Sequence, residues 1–178
     1  MIIDEKSAVW AFLEAEQRDL FCDASYLVSL MRRDERVLTD YSFLVFPVAK
    51  AYEGFLKKLF FQSGFMTEEE YRGDRFRVGR ALNPELESHL RRESVYDKLV
   101  EFCGQDHSVP LKLWEAWKRG RNRLFHYFSD HLHCITREEA EEIIHEISTA
   151  MELALRCFVK KEHVFSKDAS LDTSDTLQ

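Results

Sequence analysis

Glycine and proline are scarce in this chain, six and three among 178 residues. A fold built on tight turns and short strands needs more of both, so the shortage argues against a turn-rich β architecture and favours long helices. Cysteine is sparse too: Cys22, Cys103, Cys134 and Cys157 stand far apart in sequence and make no CxxC. That pattern reads as reduced, mostly buried thiols in a cytoplasmic protein. No stretch approaches the roughly 18 uncharged apolar residues of a membrane span. The opening MIIDEKSAVW is acidic and lacks the apolar run of a signal peptide. Positive charge is in deficit, with a net charge of −7. A protein that coats nucleic acid by bulk electrostatics is thereby excluded, and any RNA contact must come from a local basic patch.

What the chain has is apolar surface: 45% hydrophobic and 13% aromatic residues are enough for a real core. The expected fold is all-α, one domain of five to six helices over 1–162, with the polar stretch 163–178 as a disordered tail. Ser7 to Arg33 carries helical apolar spacing, with a possible break near Asp23. Tyr41 to Ser63 is the most apolar element and the expected central helix, carrying Pro47 near its start and ended by Gly64. Lys50, Glu53 and Lys57 share one of its faces. Glu53 then either makes a solvated pair with Lys57 or faces an active cleft. Thr67–Glu70 and Thr136–Glu139 have the form of capping boxes. Ser94 to Cys103 reads as a modest helix, and Ser108 followed by Pro110 reads as the start of another. Between the Thr67 capping box and Ser94, the stretch from Tyr71 to Arg92 is net basic. Arg75 and Arg77 lie next to Phe76 there, a pairing of guanidiniums and rings suited to single-stranded RNA or simply a solvated excursion.

The stretch WEAWKRGRNRLFHYF, Trp114 to Phe128, carries the chemistry. Read as an ideal helix, Leu113, Trp117, Gly120 and Leu124 form its core face, and Gly120 implies a close helix crossing that offsets a cost of about 1 kcal/mol. Arg121 borders that face, while Arg119, Asn122 and His126 lie opposite. Arginine binds phosphate oxygens through its fork of donors, and histidine alone titrates near neutral pH without help. Together they suit phosphodiester cleavage. The 2′-hydroxyl of RNA attacks its own phosphate, His126 moves the proton, and arginine stabilises the added charge. No metal or other cofactor is needed, and the products are a 2′,3′-cyclic phosphate and a 5′-hydroxyl. Arg121 and His126 stand about 140° apart on an ideal helix. Either the arginine swings round or two copies of the helix meet, which makes a homodimer the expected assembly.

Arg121-Asn122-x-x-x-His126 resembles the R-x(4–6)-H signature of the HEPN superfamily, and the similarity in helix order extends over about Tyr41 to Lys161. The resemblance implies an all-helical, metal-independent endoribonuclease acting as a dimer in toxin–antitoxin or anti-phage systems, or else a catalytically dead binding module. It implies catalytic roles for Arg121, His126 and Asn122. Within the superfamily the chain is similar to the catalytic domain of RNase LS-type toxins, whose upstream basic residue three before a Glu is matched by Lys50 and Glu53. That adds Glu53 to the catalytic set, with Arg119, Arg123, Lys50 and Tyr127 as RNA contacts beside Arg75 and Arg77 of the basic stretch. Unchecked cleavage would destroy cellular RNA, so an antitoxin or other regulatory protein is an expected partner. Other HEPN toxins carry a regulatory tyrosine two residues after the histidine; Phe128 stands there instead. The rival readings are a zinc site from His126, His131, His133 and Cys134, whose spacing matches no usual module, and a non-catalytic RNA- or protein-binding domain.

Overall fold

A computed structural model describes residues 2–125 and 134–171, with the backbone alone for 159–171. His126 and Tyr127 therefore lie outside the described residues, as do His131 and His133. The architecture is all-α, with no strand among the described residues. Among the described residues there are eight α-helices: α1 Ala8–Phe12, α2 Ala15–Met31, α3 Ser42–Gln62, α4 Glu68–Arg72, α5 Val78–Ala81, α6 Val95–Phe102, α7 Ser108–Trp117 and α8 Arg137–Leu171. Five of these are the longer helices that apolar periodicity points to. The short ones, α1, α4 and α5, have no more than five residues each; α4 is the short helix opened by the Thr67 capping box, and α1 lies within the expected Ser7–Arg33 helix.

The centre is α3. Leu44, Val45, Val48, Ala51, Phe55, Leu56 and Phe60 are wholly inaccessible to solvent, and α2 and α8 pack against the helix. Pro47 sits inside α3, where it has no N–H to offer the Phe43 carbonyl. Gly64, at φ +70°, then ends the helix in a Schellman turn: its N–H bonds the Phe61 carbonyl and that of Phe65 bonds the Phe60 carbonyl. Both capping boxes form, Thr67 with Glu70 and Thr136 with Glu139.

Several local expectations are corrected. The first helix breaks at Leu13–Glu14 rather than near Asp23. The cause is Arg18, whose guanidinium donates to the Trp10 and Ala11 carbonyls and so satisfies the end of α1. Ser108 is not the N-cap of α7; it is the first helical residue, and the Asp106 carboxylate two residues earlier accepts from its N–H and hydroxyl. The expected long final helix opens at Arg137, with helical backbone described to Leu171. Cys22 is exposed and the other three cysteines are half-buried, so none belongs to the core.

The largest departure lies in the key stretch. Regular α-helix ends at Trp117, and Lys118–Asn122 forms a wider π-helical turn in which the Arg123 N–H reaches back to the Lys118 carbonyl at 3.1 Å. Such turns are rare and concentrate at functional sites. The close crossing at Gly120 is real: a Cβ there would stand 2.7 Å from Ile147 Cδ1 on α8.

Candidate functional site

Arg121 projects from the π-helical turn toward α3. Its Nε stands 3.7 Å from Glu53 Oε2, an ion pair too long for a hydrogen bond. The guanidinium carbon lies 6.0 Å from the Trp117 ring centre and 5.8 Å from that of Phe125, both within cation–π range. The Arg121 side chain keeps 42% of its surface exposed and Glu53 keeps 32%. The guanidinium is thus aligned by aromatic rings and a carboxylate, while its donors still face solvent.

Glu53 is presented there because α3 is fixed on both sides of it. The adjacent Tyr52 is fully buried and donates its hydroxyl to the Leu113 carbonyl of α7 at 3.0 Å. Burial holds the Tyr52 phenol well above its ordinary pKa, so it acts as a neutral bolt between the two helices. Lys50 is exposed on α3, at the spacing that puts it on the same face as Glu53. Glu53 thus meets Arg121 across the two elements.

The two neighbouring arginines go elsewhere. Arg119 turns to α8, where it bonds the carboxylates of Glu142 and Glu146, and those contacts raise its pKa. Arg123 is exposed and lines a cleft of about 490 Å³ whose walls mix Lys112, Lys118 and Arg119 with Glu115, Glu139 and Glu146. The site expected on one helix is therefore split: Arg121 and Glu53 on the α3 side, Arg119 and Arg123 on the α8 side. Steps of 100° per residue do not apply across the π-helical turn, which removes the basis for placing Arg119 and Asn122 on a common face. Asn122 is exposed.

Arg75 and Arg77 are exposed and, with Glu70, Phe76 and Arg80, line a small hollow of about 170 Å³. Arg77 donates to the Asp74 carbonyl, while Arg72 and Arg91 are held by Glu68 and Asp97. This basic stretch meets the key helix at Gly79 of α5, where a Cβ would stand 2.5 Å from Trp117 Nε1, on the residue whose ring faces Arg121.

Sequence reasoning missed the aromatic edge of the site. Phe46 is 53% exposed and packs edge-on against Phe125 with ring centres 5.4 Å apart. Phe43, one turn earlier on α3, is also exposed. The steps of three, four and three from Phe43 through Phe46 and Lys50 to Glu53 were a signal that one α3 face is not core. Just beyond the undescribed segment, Tyr41 and Ile135 share a backbone hydrogen bond of 3.1 Å, and Asp40 Oδ1 accepts from the Ile135 N–H. Phe125 and Ile135, which flank residues 126–133, are thus both tied to the start of α3.

No group of three or more potential metal ligands occurs among the described residues, and of the four residues weighed for zinc only Cys134 is described. No helix among the described residues is long and apolar enough to cross a membrane. No family model matches the chain, and neither a curated protein nor a solved structure does.

Proposed function

We propose that this chain is a metal-independent endoribonuclease of the HEPN kind, acting on RNA as a homodimer in the cytoplasm under the control of an antitoxin-like partner. The observation that carries this reading is the state of Arg121. Of the two arginines that could open an R-x(4–6)-H motif, both half-buried, Arg119 is held by two carboxylates, whereas Arg121 is oriented and only loosely paired. A phosphate can displace a carboxylate at 3.7 Å without first breaking a hydrogen bond. Glu53 and the two rings hold the guanidinium in place beforehand, so little ordering remains to be done when charge develops on the phosphate. His126, one peptide bond beyond Phe125, supplies the proton transfer in this reading, and exposed Asn122 supports it.

The test is incubation of purified protein with single-stranded RNA in chelator. Cleavage to 2′,3′-cyclic phosphate ends is expected, with Arg121→Ala and His126→Ala each slower by about 100-fold or more. Arg119→Ala, by contrast, should retain activity. A second reading, a non-catalytic RNA- or protein-binding module, is favoured by the Glu53 carboxylate beside Arg121 and by the exposed Phe43 and Phe46. Binding without cleavage would decide for it. A chain that stays monomeric in light scattering at micromolar concentration, with and without RNA, would remove the shared cleft.

A further inference from the structure

On the far side of α8 the fold joins two cysteines that stand 54 residues apart in sequence. Cys103 is the C-cap of α6 and Cys157 lies on α8, with their Sγ atoms 3.0 Å apart. A disulfide bond is about 2.0 Å long, so bonding needs an approach of only about 1 Å. The residues beside them in sequence hold the pair in register. Phe102 and Phe158 stack with ring centres 4.5 Å apart, and Phe65 packs edge-on against both. A second Schellman turn, with Gly104 at φ +71° and the Gln105 N–H on the Val100 carbonyl, fixes the end of α6. Both thiols are half-buried. They are clamped between two helix surfaces yet retain solvent contact for a small reagent.

We propose that Cys103 and Cys157 are a reversible redox site, forming an intramolecular disulfide in response to a low-molecular-weight disulfide. One thiolate attacks a sulfur of the small disulfide, releases one small thiolate and leaves a mixed disulfide on the protein. The second cysteine, as thiolate, attacks the protein sulfur of that mixed disulfide, forms the Cys103–Cys157 bond and expels the second small thiolate. The protein gives up two electrons and two protons, and the small disulfide becomes two thiols. The second step is intramolecular between atoms already in contact, which favours it over further capture from solution. The loop so closed holds α7, the π-helical turn with Arg121 and the first turns of α8. The site does not depend on any RNA chemistry at Arg121.

The experiment exposes the full chain to glutathione disulfide at mildly alkaline pH, then alkylates remaining thiols and maps peptides by mass spectrometry. A Cys103–Cys157 link within one chain is expected, reversed by excess glutathione and preserved when Cys22 and Cys134 are both replaced by Ser. Cys157→Ser should instead accumulate a glutathione adduct on Cys103. The oxidised protein should melt higher by roughly 5–15 °C, because the link restricts the unfolded chain. Alkylation of both cysteines after oxidation, separate stable adducts on each, or linkage through Cys22 or Cys134 instead would overturn the proposal.

Discussion

Arg119 and Arg121 are separated by a single glycine and have opposite surroundings. Arg119 is a fastener: two carboxylates one helical turn apart on α8 share its guanidinium. With 39% of its side chain exposed, the pairing is screened by solvent, so Arg119→Ala should cost only about 0.5–1 kcal/mol. That is a fall in Tm of roughly 1–4 °C by calorimetry, smaller still in high salt. Arg121 does no comparable structural work, because its ion pair with Glu53 is long and its ring contacts, enough to orient it, lie near the limit of range. Arg121→Ala should leave Tm within about 2 °C of the wild type while altering RNA chemistry. A large loss of stability in Arg121→Ala would mean that its role is structural.

At the scale of the element, the π-helical turn decides which arginine faces which helix, and Gly120 decides whether α8 can lie against it. Gly120→Ala should destabilise by about 1–3 kcal/mol, since its new methyl meets Ile147, which is fully buried and cannot swing away. Ile147→Val deletes the offending Cδ1. In a double-mutant cycle read by urea unfolding, the two changes should therefore cost less together than the sum of their separate costs. At the other end of the same element, Asp106 holds the start of α7 through Ser108. Hydrogen bonds from the Ser108 N–H and hydroxyl lower its pKa below the usual 3.8. A carboxyl lowered on folding stabilises above its unfolded pKa and loses that contribution as pH falls through its folded value. Hydrogen-exchange protection in the first turn of α7, taken relative to the intrinsic rate at each pH, should therefore fall on acidification below about pH 4, and Asp106→Ala should abolish that dependence.

These elements also show what the sequence makes legible. Gly64 as a helix stop, the two Thr–Glu boxes and the α3 core run are local signals, written within a few residues and realised in place. The break at Leu13–Glu14 depends on Arg18 reaching back, and the wider turn at Lys118–Asn122 accompanies a close fit against a helix that follows later in the chain. Neither can be read from period alone. The partners of Arg119, Arg121 and Cys103 are likewise set by packing between distant segments. Glu53 could be singled out as a lone acid on a greasy helix, but not paired.

Across the whole molecule, α8 touches α1, α3, α7 and the π-helical turn. Ala140, Ile143, Ile147, Met151 and Ala154 supply one wall of the core, all nearly or wholly inaccessible to solvent. Without α8, α3 would expose that wall and Gly120 would have nothing to close on. A chain ending at residue 136 should thus show no cooperative thermal transition by circular dichroism, whereas one ending at 162 should retain it. On the ribosome, α8 emerges after the other described helices. Until it does, nascent protein carries the Arg121 segment without the scaffold that orients it, and a message broken before the α8 codons leaves this segment unfolded and open to proteolysis. Whatever chemistry the finished domain performs is withheld until α8 has been made.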